Sequence, residues 1–152
     1  MVADDDPLLL DLMTRWLVKM GIAPDRASDG AEAHALIEQN DCDVIVTEIY
    51  VPEVTGLELL RIARARDPSV QVVAATAAAL DNAVDALNRG AFGCLTKPLD
   101  HLSAFDGMIT RAMEFRRLLL DNQHMAAASE VQVLALRCRG PATSLGAEEQ
   151  MV

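Results

Sequence analysis

Apolar residues along the chain fall into two alternating patterns, one typical of helices and one typical of buried strands. Within residues 8–20 the apolar side chains stand at 9, 12, 13, 16, 17 and 20, the spacing of one helix face. Residues 43–47 and 70–75 instead hold short, nearly continuous apolar runs. The patterns predict strands at 2–3, 22–27 (weak, with a proline inside), 43–47, 70–75 and 92–95, and helices at 8–20, 31–39, 57–66, 81–89 and from 99 or 100 to 122.

Alternating strands and helices of these lengths predict an α/β fold. Because each strand is followed by a helix, we expect a doubly wound, five-stranded parallel sheet with helices on both faces. This domain takes up residues 1–122. Residues 123–152 are predicted to be a helical extension, with 126–136 continuing the last helix, followed by a disordered tail over 137–152.

Composition excludes several classes of function. The aromatic content is 3%, which is too low for a platform that stacks single-stranded nucleic acid. The net charge of −10 argues against binding to a phosphate backbone. No signal peptide and no apolar stretch long enough to span a bilayer are visible, so we expect a cytoplasmic protein that binds neither nucleic acid nor membrane. Cys42, Cys94 and Cys138 are widely spaced and are expected to be free thiols.

Polar residues stand where four of the predicted strands end. Asp4 and Asp5 follow the first strand, Glu48 the third, Thr76 the fourth and Lys97 the fifth. Parallel strands end at one edge of the sheet, and ligands bind there. Carboxylates favour a magnesium ion, while a hydroxyl and an ammonium suit phosphoryl oxygens. The sequence therefore predicts a pocket for a phosphoryl group beside Mg²⁺.

Four segments in order carry a family resemblance: ADDDP, DVIVTEIYVPEVTGLELL, VVAATA and GAFGCLTKPLD. Over about residues 1–122 the chain resembles the receiver domain of two-component response regulators. The resemblance implies a flavodoxin-like sheet of strand order 2-1-3-4-5. It also implies a non-enzymatic role in two-component (phosphorelay) signal transduction, in which a partner histidine kinase donates a phosphoryl group to an aspartate after the third strand.

The resemblance also assigns roles to individual residues. Asp4 and Asp5 match the acidic pair, with Asp5 as a direct magnesium ligand, and the backbone carbonyl of Tyr50 matches a further ligand. Thr76 matches the switch hydroxyl that turns toward the phosphoryl group. Lys97 matches the lysine that pairs with it, and the peptide bond after this lysine is often cis in the family.

The first departure from the family is Glu48, which stands at the phosphoacceptor position. Its side chain is one methylene longer than aspartate, and a misplacement of about 1 Å costs on the order of a hundredfold in rate. We expect a receiver that is degenerate at its phosphoacceptor and signals by protein–protein interaction. In it Glu48 contacts Lys97 and partly imitates the phosphorylated form. Glu48 would still join Asp5 in holding Mg²⁺, though more weakly than in a typical receiver.

The second departure is Cys94 on the last strand. Receivers usually carry Tyr or Phe here, as a switch residue that moves with the hydroxyl of Thr76. A cysteine has no ring to swing between the pocket and the surface. The coupling from the pocket to the face formed by the fourth helix, fifth strand and fifth helix is therefore in doubt.

Two alternatives remain open. The first is a working receiver that accepts phosphate on another carboxylate, or slowly on Glu48. The second is a small phosphohydrolase of the haloacid dehalogenase type, because Asp4 and Asp6 form an Asp-x-Asp followed later by Thr76 and Lys97. Against it, the motif continues into a proline, and the chain lacks a cap segment and a late acidic pair.

The long last helix is predicted to have an inner stripe and an apolar end. The stripe packs on the sheet and contains Phe105, Met108, Ile109, Ala112 and Met113. The apolar end contains Phe115, Leu118, Leu119 and Leu120. An exposed apolar helix end indicates a partner, such as a second copy of the chain or a signalling protein, unless it folds back on the domain. We expect no output domain in the last thirty or so residues.

Overall fold

The computed structural model describes residues 1–77 and 80–139. Its centre is a single parallel sheet of five strands in the order β2-β1-β3-β4-β5. This confirms the predicted fold class. The strands are β1 Val2–Ala3, β2 Arg26–Ala27, β3 Val44–Thr47, β4 Gln71–Thr76 and β5 Gly93–Thr96.

Five helices connect and follow the strands. Side chains cap the first three: the carboxylate of Asp6 accepts from the amide of Leu8 at 3.0 Å, and Asp29 and Thr55 cap the next two helices in the same way. The helices are α1 Pro7–Lys19, α2 Gly30–Gln39, α3 Gly56–Arg66, α4 Leu80–Asn88 and α5 Leu102–Cys138. None of the helices in the described residues is both long and apolar enough to cross a membrane.

The two faces of the sheet are covered by different helices, because successive strand side chains point to opposite sides. In β3, Val46 packs with residues of α1 and α5, whereas Ile45 packs with residues of α2 and α3. On the face covered by α1 and α5, the largest fully buried side chain is that of Phe105. Its ring centroid lies 5.3 Å from that of Trp16 in α1. Helices therefore cover both faces, as predicted.

The second strand is much shorter than predicted. It contains Arg26–Ala27 only, and the earlier residues 22–25 are not part of it. Pro24 has no amide hydrogen to donate to a ladder. The amide of Ile22 instead donates to the carbonyl of Leu17 at 2.9 Å, closing the end of α1 after Gly21 at φ +82°.

The last helix is one continuous element. It begins at Leu102, slightly later than predicted, and continues to Cys138, so it contains both the helix predicted to residue 122 and the predicted extension over 126–136. The sequence between Gly107 and Gly140 contains no glycine or proline and is rich in alanine and leucine, so nothing interrupts the helix. The tail predicted as disordered from residue 137 thus begins inside α5. Its remainder from residue 140 lies outside the described residues.

Within α5 the predicted inner stripe is right except at one position. Phe105, Ile109 and Ala112 are buried, but Met113 is 39% exposed. The next inward position is Arg116. Backbone contacts group Met1–Leu119 into one compact unit and Leu120–Val152 into a second, and residues 121–139 of the latter are all exposed.

Phe105→Ala should lower the free energy of unfolding by about 3–5 kcal/mol, because it leaves a cavity beside Trp16. Phe115 is a matched control on the same helix. It is 45% exposed, and its ring centroid lies 5.8 Å from that of Phe92. Phe115→Ala should cost about 1 kcal/mol. Urea denaturation followed by Trp16 fluorescence measures both. Equal losses for the two variants would contradict this difference in packing.

Candidate phosphoryl site at the carboxyl edge of the sheet

The carboxyl edge of the sheet brings three charged side chains into direct contact. Asp4 follows β1, Glu48 follows β3 and Lys97 follows β5. The Lys97 Nζ lies 2.7 Å from Oδ2 of Asp4 and 2.5 Å from Oε2 of Glu48. Asp4 is fully buried and Glu48 is 8% exposed. One ammonium is therefore shared by two buried carboxylates.

The second oxygen of Glu48 is turned back toward the backbone. Its Oε1 accepts hydrogen bonds from the amide of Ile49 at 2.8 Å and from the amide of Tyr50 at 3.4 Å. With the lysine on Oε2, both carboxylate oxygens have donors. The side chain is thus held inside the pocket, with its reactive atoms occupied by groups of the same chain.

Lys97 and the amide of Asp6 both hold the carboxylate of Asp4, whereas Asp5 takes no part in the contact with Lys97. The Oδ1 of Asp4 accepts from the amide of Asp6 at 2.9 Å, which ties it to the start of α1. Asp5 and Tyr50 are both exposed. The three acidic residues after β1 are therefore in three different environments.

Thr76 lies at the end of β4, next to the lysine in space. It is 3% exposed and pairs in register with Thr96 of β5. Its carbonyl accepts from the amide of Lys97 at 3.0 Å. The peptide bond from Lys97 to Pro98 is cis. The sheet therefore brings Asp4, Glu48 and Lys97 into contact, and the backbone of Thr76 joins the backbone of Lys97 beside them.

The pKa of Lys97 is raised despite its burial. Burial by itself lowers the pKa, but the hydrogen bonds and charges of Asp4 and Glu48 outweigh it. The side chain consequently stays a cation at neutral pH. Two carboxylates and one ammonium leave a formal charge of −1 in the pocket.

The side chains as arranged do not fit a magnesium ion. Within the part of the chain that the structure describes, no group of three or more His, Cys, Asp or Glu residues is placed to hold a metal. The two buried carboxylates already share an ammonium, and Asp5 is exposed and joins them in no such group. A cation would have to displace Lys97 before it reached both carboxylates.

Cys94 fills space between β5 and α4. It is half-buried and packs against a small cluster that includes Ile49 and Ala86. Its Sγ lies 3.7 Å from the carbonyl oxygen of Ala83, and burial raises the pKa of the thiol. All three cysteines are free, as predicted. The Cys94 side chain therefore fills space between these elements and has no aromatic ring.

The loop after Glu48 is closed by two glycines whose role the sequence did not reveal. The amide of Gly30 donates to the carbonyl of Pro52 at 2.7 Å, and a Cβ on Gly30 would lie 1.8 Å from the carbonyl oxygen of Val54. A Cβ on Gly56 would lie 2.3 Å from the carbonyl oxygen of Glu48. Both glycines stand at helix starts, so their spacing indicated only turns and caps. The loop contact depends on tertiary packing.

This fold and this pocket define a class of protein. A doubly wound sheet of order 2-1-3-4-5, with acidic residues, a threonine and a lysine at its carboxyl edge, is the arrangement expected of a phosphoryl-dependent signalling domain. The chain belongs to the response regulator receiver domain family, whose model matches residues 1–105.

The relatives of this chain include both a response regulator and a sensor protein. The response regulator protein PilR of Pseudomonas aeruginosa is 32% identical over 117 residues, covering 76% of this chain and 26% of PilR. The sensor protein EvgS of Escherichia coli O157:H7 is 30% identical over 141 residues, covering 88% of this chain and 12% of EvgS. The chain thus spans about a quarter or less of these two proteins.

Solved structures show the same fold over most of the chain. A response regulator receiver domain protein from Clostridium thermocellum has a TM-score of 0.71 and 30% identity, covering 78% of this chain and 95% of that one. The beryllofluoride-activated NtrC4 receiver domain dimer has a TM-score of 0.71 and 28% identity, covering 76% of this chain and 95% of that one.

Lys97→Met should lower the free energy of unfolding by on the order of 3 kcal/mol, because it leaves two buried carboxylates without their shared cation. Since the folded pKa of Lys97 lies above its ordinary 10.5, the stabilisation is fully present below pH 10.5 and is lost as pH rises through the raised value. Urea denaturation at several pH values measures this.

The control for that experiment is Lys19→Met, since Lys19 is exposed at the end of α1. Adding Glu48→Gln to Lys97→Met should recover part of the loss by removing one buried charge. A double variant that is no more stable than Lys97→Met alone would contradict the shared ammonium.

Proposed function

We propose that this chain is a receiver domain that signals by protein–protein recognition and does not run an efficient phosphorylation cycle. The observation that carries the proposal is the engagement of both oxygens of Glu48. Lys97 holds Oε2, and the amides of Ile49 and Tyr50 hold Oε1. The residue at the phosphoacceptor position is held in one state by its own chain.

An engaged carboxylate is a poor nucleophile for phosphoryl transfer. In-line attack requires a free oxygen at the right place, and a misplacement of about 1 Å costs on the order of a hundredfold in rate. Attack by Glu48 would first break an ion pair of 2.5 Å or a hydrogen bond of 2.8 Å inside a buried pocket. The incoming phosphoryl group is an anion, and it would meet a pocket that already carries a formal negative charge.

The same contacts support partial imitation of a phosphorylated site. An ammonium and two backbone amides are donors suited to an anionic phosphoryl oxygen, and here they are given to the carboxylate of Glu48. A glutamate has two oxygens and one charge, whereas a phosphoryl group offers three oxygens and more charge. We therefore propose one fixed conformation of the loop after β3, close to but not identical with a phosphorylated one.

Cys94 supports a fixed state in a second way. Without a ring, the position cannot move an aromatic group between the pocket and the face of α4, β5 and α5. We propose that this face is constant in this protein, and that partners recognise it without a switch. Magnesium is expected to bind only weakly, because the two deeper carboxylates already share Lys97 and a cation would have to displace it.

The partners proposed are a histidine kinase or a downstream signalling protein, and the setting proposed is the cytoplasm. The relatives include a sensor protein and a response regulator, so both kinds of partner occur around related domains. No enzymatic activity is proposed. The family match removes the reason to consider a phosphohydrolase, which was the other interpretation of the acidic residues after β1.

A second copy of the chain is a further proposed partner, through the distal part of α5. Its exposed apolar side chains include Val131 at 66% and Leu134 at 57%. Positions alternating by four and three residues form one stripe on the helix, the spacing of a coiled-coil seam. The stripe contains Leu120, His124, Ala127, Val131, Leu134 and Cys138. A solved relative is a receiver domain dimer, which supports self-association in this family.

Glu48→Asp should restore phosphorylation by acetyl phosphate with Mg²⁺, because the shorter side chain cannot keep both oxygens engaged in the same way. Intact mass spectrometry should show the gain of one phosphoryl group by Glu48→Asp and no gain by the natural chain. Glu48→Gln is the matched control and should gain none. Phosphorylation of the natural chain would contradict the proposal, and peptide mapping would then find the acceptor.

Cys138 provides a test of the proposed dimer. In a parallel coiled coil the stripe positions face their equivalents, so mild oxidation should link two chains through Cys138. Leu134→Glu should abolish this link, while Ser129→Glu, which adds the same charge on the opposite side of the helix, should preserve it. Cys138→Ser is the control for cross-linking elsewhere. A monomer by light scattering at high concentration would contradict self-association.

A further inference from the structure

Arg116 of α5 is a buried charged residue that neither the pocket nor the proposed function uses. It is 8% exposed. Its guanidinium contacts residues that precede the neighbouring strands β3 and β4. Nε lies 2.9 Å from Oδ1 of Asp43, Nη2 donates to Oδ2 of Asp67 at 3.1 Å, and Nη1 donates to Oγ of Ser69 at 3.0 Å. This contact lies at the edge of the sheet opposite the phosphoryl site.

The acceptors of Arg116 are held in place by hydrogen bonds among themselves. Oδ1 of Asp67 accepts from the amide of Ser69 at 2.9 Å and from its hydroxyl at 2.6 Å. Ser69 is 1% exposed, and its carbonyl accepts from Nε2 of Gln71 at 2.9 Å. Burial raises the pKa of Asp67, but the hydrogen bonds of Ser69 and the charge of Arg116 lower it overall. Asp67 is therefore an anion at neutral pH.

The two ion pairs of Arg116, one with Asp43 and one with Asp67, differ in strength. The side chain of Asp43 is 73% exposed, and Nε of Arg116 forms an ion pair with it without the geometry of a hydrogen bond. The side chain of Asp67 is 38% exposed, and its partner Ser69 is buried. Water and salt weaken exposed ion pairs. Asp67 and Ser69 therefore provide most of the attachment.

Arg116 also marks the end of the inner face of α5. Phe105, Ile109 and Ala112 precede it on this face at helical spacing, and all three are apolar. Among the described residues that follow Arg116, none is buried. The attachment of this helix to the sheet therefore changes from apolar to ionic at its last inward position.

We propose that Arg116 is a latch that fixes the position of α5 at residues 112–119. Apolar contacts are not directional, so Phe105 and Ile109 alone allow the helix to shift along the sheet. A planar guanidinium that is hydrogen-bonded to both Asp67 and Ser69 restricts the helix to a position where both bonds can form. When the latch is broken, residues 112–119 open locally while the sheet remains folded. This is a conformational role, separate from phosphorylation and from Glu48.

Hydrogen exchange of the full chain, followed by mass spectrometry, tests the latch. Arg116→Met should speed exchange of the amides at 112–119 by about tenfold or more, while peptides of β3 and β4 keep their natural rates. Arg116→Lys should recover part of the protection, because one ammonium keeps the charge but cannot reproduce the paired hydrogen bonds to Asp67 and Ser69. Arg117→Met is the matched control, since Arg117 is the next residue and is exposed.

Asp67→Asn keeps the arginine and tests its ion pair with Asp67, the stronger of the two. It should open the same segment, whereas Asp43→Asn should change exchange there by less than Asp67→Asn does. Unchanged exchange at 112–119 in Arg116→Met would overturn the proposal. A uniform rise across the sheet would overturn it too, because Arg116 would then be only a general stabiliser. If Arg116→Met does not fold, Arg116→Lys and Asp67→Asn give the same readout.

Discussion

The pocket of this receiver depends on one ammonium held between two buried carboxylates. Neither Asp4 nor Glu48 would be tolerated as a bare anion at that depth, and the cation of Lys97 stabilises both. The contact joins the ends of β1, β3 and β5, so it also closes the carboxyl edge of the sheet. The partial compensation of buried charge and the relative position of the ends of three strands thus depend on the same contact.

The additional methylene of Glu48 acts through this constraint. It allows one oxygen to reach Lys97 while the other returns to the amides that follow the strand. The pocket then holds an anion of its own, and an external phosphoryl group has to compete with it. Under the proposed function, this single carbon lets the chain's own carboxylate occupy the place of a transient phosphoryl group.

Sequence patterns predicted the fold class and the pocket because both depend on regular spacing. Parallel strands end at one edge of a sheet, and this rule alone was enough to predict that Glu48, Thr76 and Lys97 lie together. Arg116 and Gly30 were missed, since an arginine on a helix and a glycine at a helix start are ordinary in sequence. Their importance arises from partners that are distant along the chain, such as Asp67 for the arginine and Pro52 for the glycine, and no local pattern records such contacts. The helical extension over 126–136 was predicted, but its unbroken join to the rest of α5 was not, because no buried stripe continues past Arg116.

The alternation along β3 has a consequence for how this protein tolerates insertions. Ile45 and Val46 pack into the hydrophobic clusters on opposite faces of the sheet, and Glu48 lies two residues after Val46. A single inserted or deleted residue in this strand would exchange the two faces from that point on. It would place an isoleucine among the wrong helices and turn the carboxylate away from its lysine. Gene variants that change the length of β3 should therefore be lost from populations far more readily than those that lengthen the distal end of α5.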